Sequence, residues 1–221
     1  MTATLLILVL GSALLDWMAT AKQWVRVEMF AKPAVMIFLF AWLYAGTRIQ
    51  GALLWFGLGL LFSLIGDLLL LSPDRLFLPG LIAFLLAQVA YIIGFSSQAA
   101  PANAWDLVFG FTILLSAIRI LQRLIPALRS RGLNRLVLPV GIYALIISTM
   151  LFFAVRTLAA PAWQTNATVL ASVGALLFYI SDLILAWNRF VSPIPNGRLL
   201  NICAYHLGQT ALIIGVAMHF G

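Results

Sequence analysis

The chain has 221 residues, of which 64% are hydrophobic and 9% charged, with a mean hydropathy of +1.10 and a formal charge of +7. Soluble domains carry about 25% charged residues, so the composition excludes a soluble globule and indicates an all-α integral membrane protein with one membrane domain spanning residues 1–221. A single Cys, Cys203, excludes an internal disulfide and a thiolate-rich metal centre, and the basic residues sit in short segments between apolar runs, which argues for membrane orientation and against nucleic-acid binding.

A membrane-spanning helix needs about 20 residues. The apolar runs predict eight such helices, over 4–21, 29–45, 51–71, 77–97, 104–125, 136–156, 166–187 and 199–220. The start of the chain lacks a basic segment, and Asp16 interrupts its first apolar run, so it does not read as a cleaved signal peptide. Lys32-Pro33 is expected in the opening turn of the second helix, where Pro is tolerated and Lys can snorkel. The connections after helices 1, 3, 5 and 7 and the helix ends beside them hold eleven basic residues, from Lys22 to Arg198, whereas the opposite side holds only Arg48 and Arg156. By the positive-inside rule both termini are expected outside, in what reads as a bacterial inner membrane.

The third helix contains Phe62-Ser63-Leu64-Ile65-Gly66-Asp67 and the seventh Leu177-Phe178-Tyr179-Ile180-Ser181-Asp182. A charge in mid-helix costs roughly 2.5–3.5 kcal/mol on insertion scales, so such residues face protein or a watery hollow and are functional by default. Asp67 is expected about one turn, roughly 6 Å, from the inner end of its helix, and Asp182 at a similar depth. The two segments run in the same direction, four helices apart, which suggests two four-helix halves. Asp16, Lys32, Tyr143, Tyr205 and His206 fall in the same inner half, with Gln88 nearer mid-membrane. Asn201, Tyr205 and Gln209 recur every four residues and so share one face of the last helix. One polar pocket near the cytoplasmic face is the expectation. Two carboxyls in such a pocket can act as a coupled acid/base pair. They also suit a proton-coupled transporter of lipids or small molecules, or a structural tie in a non-catalytic scaffold. The carrier is disfavoured because neither Asp-bearing helix has an internal Pro and both carboxyls are expected near one surface. His206 and His219 lie roughly 20 Å apart along one helix and cannot share a metal; no metal site is expected.

Ala31-Lys32-Pro33, the Asp67 and Asp182 segments, Pro79-Gly80-Leu81-Ile82-Ala83-Phe84-Leu85-Leu86-Ala87-Gln88-Val89-Ala90-Tyr91-Ile92 and the stretch from Tyr205 to Gln209 together resemble the YhhN/TMEM86 family, in order and over nearly the whole chain. The resemblance implies a multi-pass lysoplasmalogenase that hydrolyses the alkenyl ether bond of a lysophospholipid without metal or organic cofactor. It implies Asp67 and Asp182 as the catalytic pair, with Lys32, Tyr143, Gln88, Asn201, Tyr205 and Gln209 binding or orienting substrate. It departs at Gln88, where it implies His; Gln does not titrate and is not expected to relay protons.

Overall fold

The structure, a computed structural model, describes residues 2–98 and 101–221, with only the backbone described at 73 and 74. Among the described residues are eight α-helices and no strand: α1 (Thr2–Ala21), α2 (Val25–Thr47), α3 (Leu53–Leu70), α4 (Pro73–Ser96), α5 (Ala104–Ser130), α6 (Asn134–Arg156), α7 (Thr165–Phe190) and α8 (Gly197–Phe220), with a 3-10 turn, Thr157–Ala159, after α6. All eight are long and apolar enough to cross a membrane.

Every expected helix is present, and the differences lie at the ends. α2 starts at Val25, so Pro33 sits inside the helix and not in its first turn. α5 runs on to Ser130 and α7 to Phe190. In each case the extension carries Arg or Glu, which hydropathy does not count as span although the backbone stays helical at headgroup depth. The longer α7 places Asp182 about two turns before its end, while Asp67 remains about one turn before the end of α3. α4 kinks at Leu76 (φ −113°, ψ 17°), next to the carbonyl that Pro79, lacking an N–H, leaves unbonded. At the other end of the bundle Asn103 caps α5: its side chain accepts from the Trp105 N–H at 2.9 Å, and Asp106 accepts from the Asn103 N–H at 3.1 Å. Asp106 also pairs with Arg156 at 2.9 Å, tying the start of α5 to the end of α6.

Consecutive helices pack as pairs, α1 with α2, α3 with α4, α5 with α6 and α7 with α8. Neighbour relations repeat between the halves: α2 lies beside α3 as α6 lies beside α7, and α4 beside α6 as α8 beside α2. The core between them is aromatic, with Phe56, Tyr91, Phe95 and Phe178 fully enclosed. α5 is peripheral. It buries Ala117, Leu124 and Leu128 and turns Leu107, Phe111 and Leu114 outward, where lipid would lie.

The closest approach is between α7 and α8. A Cβ on Gly174 would stand 2.2 Å from the Leu212 nitrogen, and one on Gly208 2.8 Å from the Phe178 nitrogen. Backbone-to-backbone contact of this kind replaces the hydrophobic drive that is missing between helices in lipid. Gly174→Val is therefore expected to destabilise the fold by at least about 1–3 kcal/mol, read as a lower unfolding midpoint in detergent. Gly11→Ala, whose Cβ would meet nothing within 4 Å, should not lower it.

Candidate active site

Asp67 is 1% exposed on the inward face of α3. Its Oδ1 lies 3.3 Å from Lys32 Nζ on α2, and its Oδ2 accepts a hydrogen bond from the Tyr205 hydroxyl on α8 at 2.8 Å. One turn further along α8, Gln209 accepts from the Tyr91 hydroxyl at 2.7 Å and donates to Ser63 Oγ at 2.9 Å. Ser63 is itself one turn from Asp67 on α3. The four-residue spacing on both helices thus stacks two polar layers, Lys32–Asp67–Tyr205 and Tyr91–Gln209–Ser63, across α2, α3, α4 and α8. Together they satisfy groups that would otherwise be unpaired in a low-dielectric interior.

Asp182 belongs to a second network. It accepts a hydrogen bond from the Tyr143 hydroxyl on α6. Gln88 of α4, fully buried, lies beside the same phenol. Asn201 turns away from the pocket and toward α7, donating to the carbonyl and the Oγ of Ser181 at 2.8 and 2.9 Å. It thereby fixes the turn of α7 that carries Asp182.

The two networks adjoin but do not merge. The Tyr205 ring makes edge contacts with Phe84 and Phe178, at 5.8 and 5.5 Å between centroids. Phe84 in turn lines the hollow in front of Asp182. No hydrogen bond or ion pair joins the two carboxyls among the described residues. The sequence-based picture of one pocket shared by both therefore changes: Asp67 is enclosed and balanced by Lys32, while Asp182 is half-buried and opens into a cavity.

Two cavities meet at Asp182. One, of about 50 Å³, runs to the basic end of the bundle between Leu70, Phe77, Leu81, Phe84 and Phe190. The other, also of about 50 Å³, lies between α5, α6 and α7, against Ala117, Ile120, Ala144 and Ile147. They share Val140, Tyr143, Asp182 and Ala186. Tyr143 and Asp182 are the only polar side chains common to both walls. An acidic group facing a mostly apolar space can hand a proton to an apolar molecule that reaches it.

Other polar residues frame the site. Glu28 and Arg198 pair at 2.6 Å and tie α2 to α8 at the basic end. Asp16 is fully buried, its two oxygens have no hydrogen-bond partner among the described residues, and its charged neighbours are Glu28, Lys32, Asp67 and Arg198. His206 Nδ1 accepts from Trp17 Nε1 at 3.2 Å, whereas His219 stacks on Trp163 at 3.9 Å near the far end of the same helix. No group of three His, Cys, Asp or Glu side chains that could hold a metal occurs among the described residues. Nothing in the residue pattern marks Glu28 as a partner of Arg198, or the α5 wall of the second cavity: an apolar residue facing a cavity has the same hydropathy as one facing lipid.

The sequence model of the YhhN family matches residues 27–216. Curated relatives include lysoplasmalogenase TMEM86B of pig (Sus scrofa), 32% identical over 77% of this chain and 64% of its own length. Others are TMEM86B of mouse (Mus musculus), 30% identical over 90% of this chain and 78% of its own, and lysoplasmalogenase TMEM86A of human (Homo sapiens), 32% identical over 68% of this chain and 60% of its own. The chain thus spans less than two thirds of the pig TMEM86B and human TMEM86A proteins. No solved structure matches it.

Breaking a buried ion pair by removing one partner costs about 3–5 kcal/mol, more than removing both. Lys32→Met is accordingly expected to lower the unfolding midpoint sharply, and adding Asp67→Leu to restore much of the loss. Strictly additive destabilisation of the two substitutions would show that the pair does not couple α2 to α3.

Proposed function

The chain belongs to the YhhN family, and we propose that it is a membrane-embedded lysoplasmalogenase-like hydrolase. Its substrate would be a lysophospholipid with an alkenyl (vinyl) ether chain, and its products a fatty aldehyde and a glycerophospho-ethanolamine or -choline. One observation carries the reading. Asp182, hydrogen-bonded by Tyr143, faces two small, mostly apolar cavities inside the bundle that lead away from it in different directions. The name lysoplasmalogenase carried by the relatives supports it.

A vinyl ether is opened by proton addition to the alkenyl carbon distal to oxygen, which leaves an oxocarbenium ion. Water then adds to the carbon attached to oxygen and gives up a proton. The resulting hemiacetal breaks its carbon–oxygen bond to the glycerol; that oxygen takes a proton while the hemiacetal hydroxyl gives one up to become the aldehyde carbonyl. One water is consumed, and the protons balance. Geometry comes first in choosing a proton donor. Asp182 lines the hollow and Asp67 does not, so Asp182 is the donor. Once deprotonated, its carboxylate faces the cation and accepts the proton of the incoming water. Glycosidases meet a similar cation with carboxylates, an analogy of chemistry only. Tyr143 fixes one carboxyl oxygen of Asp182 and leaves the other for the reacting carbon. Asp67 acts through its partners: it holds Lys32 and Tyr205, and Tyr205 backs the Phe84 wall of the cavity. The basic end of the bundle would face the cytoplasm, with the substrate drawn from that leaflet.

Purified protein is expected to release aldehyde from a lysoplasmalogen and to leave its ester-linked analogue intact. Asp182→Asn should reduce release at least about 100-fold, the range of general acid catalysis, with the unfolding midpoint retained. Tyr143→Phe should reduce it less. Full activity of Asp182→Asn, or cleavage of the ester analogue alone, would overturn the reading.

A further inference from the structure

We propose that the cavity between α5, α6 and α7 is the subsite for the hydrocarbon chain of the substrate, and that Ala117 and Ala144 set the chain length it accepts. The inference rests on the hydrolase reading above and adds an orientation to it. A linear lysolipid whose ether bond lies at Asp182 must send its two arms different ways. Two cavities leave Asp182, so each arm has one candidate space.

Axial position assigns them. The first cavity ends among Leu70, Phe77 and Phe190, at the helix termini. There the Arg189 guanidinium lies 4.6 Å from the Phe77 ring centre, and Arg131 donates to the carbonyls of Arg189 and Val191 at 3.0 and 3.2 Å. This rim carries cationic groups at the level where a phosphate would sit. The second cavity runs the other way, reaching Ala117 and Ile147. Ile147 is more than three turns, or about 20 Å, from the start of α6. In a hydrocarbon core about 30 Å thick that is past the midplane. A phosphate there would be costly, while a hydrocarbon chain meets surroundings like its own. The wall on that side is α5, which buries few residues and presents apolar side chains outward, so a chain drawn from the bilayer has one helix to pass.

Ala117 on α5 and Ala144 on α6 are the small residues of this wall that the first cavity does not share, and a larger side chain at either position would shorten the space beyond Asp182. The test compares lysoplasmalogens with long and short alkenyl chains on wild type, Ala117→Phe and Ala144→Phe. At least one variant is expected to lose about tenfold or more in kcat/KM for the long chain and much less for the short one. Equal losses for both chains, or none, would overturn the inference. A second measurement keeps the subsite testable if the variants fail to fold or if wild type cleaves neither substrate, the latter result counting against the hydrolase reading alone. A saturated 1-O-alkyl lysophospholipid with a diazirine at the chain end is photolysed on the wild-type protein. Labelling on α5 or α6 is expected; labelling confined to α3 and α4 beside Phe77 and Phe84, or no specific labelling, would refute the subsite.

Discussion

An acidic side chain within a hydrocarbon-length helix must be matched by a cation, held by donors or turned toward a hollow, because lipid offers it nothing. The two such residues in motif positions here follow different courses. Asp67 takes a cation and a hydroxyl, Lys32 and Tyr205, and is sealed between α2, α3 and α8. Asp182 takes one hydroxyl, Tyr143, and keeps an open side. The first arrangement binds helices together; the second leaves a reactive group with space before it.

Both arrangements depend on α7 and α8 being locked. Gly174 and Gly208 let the two backbones touch, and Asn201 adds a bidentate bond to the turn just before Asp182. α8 carries Tyr205 and Gln209 to the enclosed network, while α7 carries Asp182 to the cavities. A rigid pair therefore fixes the relative positions of the two networks, as a preorganised site requires. The Tyr205, Phe84 and Phe178 rings form the shared wall, so a change around Asp67 reaches the cavity through packing and needs no polar contact.

Much of this was legible in the residues. Length and hydropathy located eight helices, and the four-residue recurrence of Tyr205 and Gln209 placed them on one buried face of α8, where both are found. Lys32, for which snorkelling to the headgroups is the simple expectation, instead points inward and meets Asp67. What could not be read has physical causes. Hydropathy marks the end of the apolar run and not of the helix, so the residues alone put Asp182 about a turn closer to the end of α7 than it lies. Asn201 shares a stripe with Tyr205, yet a stripe defines a face and not a partner, and α7 lies closer to Asn201 than the pocket does. Ala117, Ile120 and Leu124 carry no sequence signal because an apolar cavity wall and a lipid-facing surface have the same chemistry.

The central claim is that the reacting bond sits against Asp182. The most direct measurement is an experimental structure with an unreactive saturated 1-O-alkyl lysophospholipid bound. The account predicts the first two chain carbons within about 3–3.5 Å of the Asp182 carboxyl, the separation of a near-attack geometry, with the chain beyond them among α5, α6 and α7. An ether linkage seated at Asp67, or outside the bundle with both cavities empty, would contradict it.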